Sequence, residues 1–251
     1  MRIQTSEGRS VALREQGVSG PQVLLLHGWM TSGAVFSPVI DDLARSARVF
    51  TADLRGAGDS DSASSYELND YARDVVAVLQ EIGSATIVGH SMGGAIAQLV
   101  AIEQPKLVDK LILLNSVPAR GMQLPDDAMA LFAASAGDRE KQAAILGVAC
   151  LQLEDPARDQ LLDIAATVDD AAIQQSLIAW TTGGFEDRLG AIRALTHVVA
   201  TSDPFLPPAL LQEAIVDRID QAKLHVAEGP GHYPMWEAPK QTSELLASLI
   251  A

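Results

Sequence analysis

A serine framed by glycines stands at position 91, in Gly89-His90-Ser91-Met92-Gly93-Gly94. The short apolar, β-branched run Ala85-Thr86-Ile87-Val88 precedes it. Ala95-Ile96-Ala97-Gln98-Leu99-Val100-Ala101-Ile102 follows, with helix-forming residues at helical length. A serine at a sharp strand-to-helix turn, with glycine two residues before and after it, is the pattern of a nucleophile elbow. The glycines let strand and helix backbones approach where Cβ atoms would collide. Such a turn holds the hydroxyl at the C-terminal edge of a sheet. It also aims the first amides of the next helix at whatever the hydroxyl attacks. Taken alone, the hexapeptide reads equally as a glycine-rich helix N-terminus with Ser91 as its cap.

The nucleophile reading makes demands that the capping reading does not. A serine hydroxyl attacks poorly until a base takes its proton, and a base available near neutral pH is a histidine. The chain has five. His197 and His225 lie in apolar strand runs and read as core histidines, whereas His27 and His90 sit inside turn motifs. His232 follows a strand pattern in Gly229-Pro230-Gly231-His232, where glycines let the ring swing over strand ends. A histidine used as base needs a carboxylate on its other nitrogen to fix the tautomer. Asp203 ends the run Thr196–Thr201 and precedes Pro204, so the chain leaves the sheet there; a plain turn aspartate before proline has the same look. The attacked carbonyl becomes an oxyanion and requires aimed donors. The backbone N–H of Met92, next after the serine, is one; that of Trp29, in His27-Gly28-Trp29 after the apolar run Val23–Leu26, is the expected second. Their side chains are expected to line the pocket.

The elements that must position these groups alternate along the chain. Arg2–Gln16 has weak alternation about Gly8, as in a hairpin. Val23–Leu26, Arg48–Ala52, Ala85–Val88 and Leu111–Leu114 are strand runs, and continuous apolar strands are those of a parallel sheet covered on both faces. Phe36–Ser46 and Glu67–Ile82 have helical spacing, the second with Ser65 as its expected cap. From about Ala119 to Phe185 the strands stop and four helical segments follow, near Asp127–Ala136, Arg139–Leu151, Ala157–Thr167 and Asp170–Trp180. Strand runs resume at Thr196–Ala200 and Lys223–Ala227. The expected architecture is α/β: a mostly parallel central sheet with helices on both faces, a core of residues 1–118 and 186–251, and a helical cap of residues 119–185. Ligand sites of open α/β sheets lie at the C-terminal strand ends, which is where such an insertion would sit. A separate helical domain placed elsewhere is the alternative.

The serine motif, the run Val23–Trp29, Ala52-Asp53-Leu54-Arg55-Gly56-Ala57-Gly58-Asp59-Ser60, Thr201-Ser202-Asp203-Pro204-Phe205-Leu206-Pro207 and Gly229–His232 stand in an order that resembles the α/β-hydrolase superfamily over nearly the whole chain. Within it the chain looks like the small capped esterase, lactonase and perhydrolase group. Thr31–Phe36 and Leu161–Asp169 are similar to acyl-homoserine lactone hydrolases of this fold. The resemblance implies His232 as the base, with Glu237 and Pro239 matching the segment that follows it, and Asp203 as the acid in the order Ser…Asp…His. Ala200-Thr201-Ser202 departs from the family, which often has glycine there. Some relatives place the acid after an earlier strand, where this chain has Asn115-Ser116-Val117 and no carboxylate. The family's Asp53–Gly58 segment is structural, and here it lacks the spacing of a phosphate loop.

Net charge is −14 with a pI near 4.6, and basic residues form no cluster, so nucleic acid is an unexpected partner and strongly anionic substrates are disfavoured. Cys150 is the single cysteine, which fits a reducing, cytoplasmic setting; the first residues have no apolar leader pattern, and no run reaches the roughly 18 apolar residues of a membrane span. Scattered histidines and one cysteine make no metal pattern, and no dinucleotide-binding glycine motif follows the first strand, so neither a metal nor another cofactor is expected. The sequence does not set an oligomeric state.

The expected function is a cofactor-independent serine hydrolase that cleaves a carboxylic ester or lactone through an acyl-enzyme. A dehalogenase or epoxide hydrolase of this fold would place aspartate at the elbow. The same three side chains also suit a cofactor-free haloperoxidase (perhydrolase) or a C–C bond hydrolase. From another class, a non-catalytic small-molecule receptor would carry a degenerate set. Apolar residues of the 119–185 segment, Trp180 among them as an expected substrate contact, point to an apolar small-molecule substrate.

Overall fold

The computed structural model describes residues 1–251. Its strands are β1 (Arg2–Gln4), β2 (Ser10–Gln16), β3 (Gln22–Leu26), β4 (Arg48–Ala52), β5 (Ala85–His90), β6 (Val108–Leu114), β7 (Leu195–Thr201) and β8 (Lys223–Ala227). They form one eight-stranded sheet in the order β1-β2-β4-β3-β5-β6-β7-β8. The N-terminal hairpin pairs antiparallel and joins β4 antiparallel; every pairing from β4 to β8 is parallel. Sheet order departs from chain order at β3 and β4, so the chain winds outward in both directions from the centre.

Strand side chains alternate between faces, and here they sort into two cores. Leu24, Leu26, Ile87, Leu111 and Leu113 face the larger one, with Tyr71, Val75 and Leu79 of α2 (Leu68–Ile82) and the apolar residues of α3 (Met92–Glu103). Val23, Leu25, Val88, Ile112 and Leu114 face the smaller one, with Val39 and Leu43 of α1 (Ser37–Leu43) and Leu246 and Leu249 near the C-terminus. Both faces of the central strands are buried, which is why these runs are continuously apolar rather than alternating.

Four helices lie between β6 and β7: α4 (Asp126–Ala133), α5 (Arg139–Ala149), α6 (Asp155–Ala165) and α7 (Asp170–Thr182). They straddle the sheet. Phe132, Ile173 and Trp180 join the larger core, and Leu146, Leu161 and Leu162 the smaller. The chain closes with α8 (Pro208–Ala214), α9 (Pro234–Glu237) and α10 (Pro239–Ile250). No helix is long and apolar enough to cross a membrane.

Two local expectations change. Helix α2 is capped at Glu67, not at Ser65. Asp70 accepts the Glu67 N–H at 3.3 Å and also the Ser65 hydroxyl, so the serine supports the capping carboxylate instead of the helix end. His197 is buried, but His225 is only half-buried, because β8 is the edge strand; the two rings pair at 3.0 Å, Nδ1 to Nε2.

The loop after β4 ties these layers together. Arg55 donates to both oxygens of Asp74 on α2, at 2.6 and 2.8 Å, within a buried pair. Asp53, fully buried, accepts N–H bonds from Gly33 and Asp59 and a guanidinium bond from Arg14. Backbone bonds from Gly58 to Thr167 and from Asp169 to Gly56 then fasten the α6–α7 link to this loop.

Candidate active site

Ser91 sits between β5 and α3 with φ 54° and ψ −121°, a conformation that L residues rarely adopt. The glycines around it answer to specific neighbours. A Cβ on Gly89 would stand 2.5 Å from the Gly93 carbonyl oxygen. One on Gly93 would meet the carbonyl oxygens of Leu26 and His27 at 2.4 Å, and one on Gly94 would meet Ser116 Oγ at 2.2 Å. The helix therefore starts in direct backbone contact with the end of β3, and the sharp turn leaves the Ser91 hydroxyl facing the ends of the neighbouring strands.

Three side chains from three strand ends meet there. His232, in the loop after β8, places Nε2 3.1 Å from Ser91 Oγ. Its Nδ1 lies 2.6 Å from Asp203 Oδ2, after β7. An ionised carboxylate only accepts, so the imidazole proton sits on Nδ1, and Nε2 is free to accept from the serine hydroxyl. Burial works to raise the Asp203 carboxyl, but His232 and the N–H groups of Phe205 and Leu206 outweigh it and hold the group below the usual carboxylate value. The His232 ring is flanked by His90 at 4.9 Å and Tyr233 at 5.1 Å, centroid to centroid. Its own carbonyl accepts a 2.8 Å bond from His90 Nε2. Burial pushes the His90 imidazole down to about 3, with the neighbouring His232 acting in the same direction, so His90 is neutral and carries its proton on the donating Nε2.

The loop after β3 lies directly beside Ser91: a Cβ on Gly28 would come within 2.9 Å of Ser91 Cβ. His27 holds this loop. Its Nε2 accepts the Leu54 N–H at 2.9 Å, which leaves the proton on Nδ1, donated to the Gly28 carbonyl at 2.9 Å. Met92 is the first residue of α3, where a helix has no internal acceptor for its N–H. Trp29 follows Gly28 in the loop against Ser91, so both expected oxyanion donors belong to segments bordering the hydroxyl.

The hydroxyl faces a small chamber of about 40 Å3 with mainly apolar walls, to which Trp29, Phe132, Ile145 and Trp180 contribute. Trp29 stacks on Phe132 with ring centroids 5.1 Å apart and donates its Nε1–H to the Ile173 carbonyl on α7. Trp180 packs edge-on against Trp29 at 6.1 Å. Met92 is buried and belongs to the larger core, as Trp29, Phe132 and Trp180 also do, but unlike them it is not among the residues that line the chamber. Met122, Phe132 and Phe205 are shared with an adjoining open groove of about 830 Å3 along α4, which Leu131, Val148 and Leu210 also line.

Two contributors are not legible in the motifs. Asn115, where some relatives carry the acid, has φ 41° and links strand ends instead. Its Nδ2 donates to Thr201 Oγ1 at 2.8 Å and to the Gly231 carbonyl at 3.2 Å. Glu237 matches the family segment after the histidine, but nothing local announces its contacts, which come from the two neighbours of His232 and from the turn after α5. Cys150 is no nucleophile candidate: burial, and then the Glu237 carboxylate, push its thiol far above the ordinary range. No group of three or more His, Cys, Asp or Glu side chains is arranged to hold a metal ion.

Comparison with known proteins agrees with the fold. Residues 23–245 match the model of the alpha/beta hydrolase family. A Variovorax paradoxus protein, provisionally named carbamate hydrolase RutD, is 32% identical over 227 residues, covering 85% of each chain. Uncharacterized Mycobacterium proteins are 39% identical over 120 residues, but the chain spans only 35% of their length. Among solved structures, an esterase from Exiguobacterium antarcticum superposes with a TM-score of 0.93 at 24% identity, over 100% of this chain and 98% of that one. Est816, described as an N-acyl homoserine lactone degrading enzyme, superposes with a TM-score of 0.83 at 26% identity over the whole of both chains. With the family model covering most of its length, the chain belongs to the alpha/beta hydrolase family.

Proposed function

We propose that this protein is a hydrolase that cleaves carboxylic esters or lactones with Ser91 as nucleophile, His232 as base and Asp203 as the carboxylate that orients it. The observation that carries the reading is the unbroken series Ser91 Oγ, His232 Nε2, His232 Nδ1, Asp203 Oδ2 at 3.1 and 2.6 Å. In this mechanism the Ser91 oxygen bonds to the substrate carbonyl carbon as its proton passes to His232 Nε2. The carbonyl oxygen becomes an oxyanion, held by the backbone N–H groups of Trp29 and Met92. Asp203 stabilises the imidazolium formed on His232. Collapse of the intermediate expels an alcohol, which takes the proton from His232 and leaves an acyl-serine. In a lactone, that alcohol stays attached to the acyl group. His232 then removes a proton from water, whose oxygen attacks the acyl carbon; the acid leaves and Ser91 regains its proton.

Residues 119–185 act in this reading as a cap, since α4, α5 and α7 supply walls of the chamber over the strand ends. The apolar walls support a substrate with an apolar acyl or alcohol part. The adjoining groove offers room for a long one, while the chamber admits only a few heavy atoms beside Ser91. The likeness to a protein described as degrading N-acyl homoserine lactones supports assaying lactones beside open-chain esters. Ser91→Ala is expected to lower kcat on a reactive ester roughly 10⁴-fold to 10⁶-fold. The same variant should lose labelling by a fluorophosphonate. Ester turnover near the parent level in a folded Ser91→Ala protein would refute the assignment. A panel of acyl-length esters, lactones, and peroxide with a carboxylic acid separates the hydrolase from the perhydrolase reading.

A further inference from the structure

The Glu237 carboxylate is wrapped by four backbone N–H groups from two distant parts of the chain. Oε2 accepts from Leu151 at 2.7 Å, Gln152 at 2.9 Å and Gly231 at 2.9 Å; Oε1 accepts from Tyr233 at 3.1 Å. Gly231 and Tyr233 are the immediate neighbours of His232. Leu151 and Gln152 follow α5 in the inserted helices. The remaining N–H of this loop, that of His232, donates to the Ala149 carbonyl at 2.9 Å, at the end of α5. A Cβ on Gly231 would lie 2.5 Å from the same oxygen, so the two backbones are in contact. Every backbone N–H from 231 to 233 is thus tied to Glu237 or to the end of α5.

We propose that Glu237 is a positioning residue for His232, joining the catalytic loop and the α5–α6 turn of the cap into one rigid unit. The physical reason is that four backbone donors, two of them in the half-buried His232 loop, share one acceptor. Four N–H groups converging on one spot need an acceptor with several lone pairs, and an ionised carboxylate offers about four. An amide offers one accepting oxygen, and a methyl group none. Without that acceptor, the backbone on either side of His232 loses its anchor, and Nε2 is no longer held at hydrogen-bonding distance from Ser91 Oγ. Misplacement by about 1 Å costs on the order of 100-fold in rate.

This inference rests on the assignment of His232 as base, and the test separates the two. Glu237→Ala is expected to lower kcat about 10-fold to 100-fold with KM changed less than about threefold, while near-UV circular dichroism stays at the parent signal. Glu237→Gln, which keeps one accepting oxygen, should fall between Ala and parent; it carries the test if the Ala variant does not fold. The deciding measurement is the second-order rate of Ser91 labelling by a fluorophosphonate in four proteins: parent, Glu237→Ala, His232→Ala and the double variant. A residue acting through His232 has little further effect once the imidazole is gone. The double variant should then label within about twofold of His232→Ala. Equal losses from Glu237→Ala with and without His232, or a Glu237→Gln protein with the parent's kcat, would overturn the proposal. Ser91→Ala with parental turnover would instead remove the mechanism on which it rests.

Discussion

Ser91 stays at φ 54° only because its surroundings leave it no alternative. Strain of this kind costs of order 1–3 kcal/mol and persists where the surrounding structure over-determines it. Here Gly93 and Gly94 press α3 onto β3 and Ser116, and the Ser91 backbone bonds to Leu114 at the end of β6 and to Val117 just beyond it. The neighbouring histidines divide by protonation as well as by place. His90, held at about 3 by burial, binds fewer protons folded than unfolded between that value and the ordinary 6.5. Its contribution to stability is therefore complete above about pH 6.5 and is lost as pH falls towards 3. His90→Gln, which can keep a donor near the His232 carbonyl, should flatten this slope. The loss of urea-unfolding free energy between about pH 7.5 and pH 5 should shrink by roughly 2 kcal/mol, at about 1.4 kcal/mol per pH unit below 6.5. An unchanged pH dependence in that variant would show that the unfolding slope has another origin.

At the scale of elements, the β5–α3 junction depends on close backbone contact. Gly93→Ala sets a methyl group 2.4 Å from two carbonyl oxygens of the β3 end, neither of which can rotate away. Relief requires α3 to slide along the sheet, at a cost of about 1–3 kcal/mol as for other overpacked sites. The same slide carries the Met92 N–H and Ser91 away from the β3 loop. Gly93→Ala is therefore expected to lower kcat and Tm together. Thermal denaturation beside ester kinetics checks this, and a variant with parental values in both would contradict the contact argument. The inserted helices depend on different ties. The backbone bonds to Gly56 and Gly58 and the Trp29 ring hold the α6–α7 side, while Glu237 and Ala149 hold the end of α5.

For the molecule as a whole, the formal charge of −14 surrounds a chamber whose walls are apolar. Exposed charges act over about 10 Å at 0.1 M salt, so the field selects among substrates before any contact is made. A neutral ester should show a higher kcat/KM than an ester of equal length ending in a carboxylate. The gap should narrow as ionic strength rises, which a salt series on the two substrates measures. An unchanging gap would locate the discrimination inside the chamber instead.

Much of this was legible in the linear chain, for physical reasons that particular residues illustrate. The runs Val23–Leu26 and Ala85–Val88 had to be strands covered on both faces, because every residue in them is apolar or β-branched. Gly89, Gly93 and the serine between them required a strand-to-helix turn, because only small residues fit so close a crossing. Those requirements are local, and local sterics are written in neighbouring residues. The pairing of Ser91 with a histidine 141 positions later is not local, nor is the division of labour between Glu237 and Asn115. Glu237 stands close to His232 in sequence, but its meaning comes from Leu151 and Gln152, which only the folded chain brings to it. Met92, expected at the pocket, packs within the larger core, a placement that depends on partners far from it along the chain. Sequence determined which chemistry the chain carries and the elements that bear it; tertiary packing decided which backbone groups hold that chemistry in place, because hydrogen bonds and contacts join residues regardless of their distance along the chain.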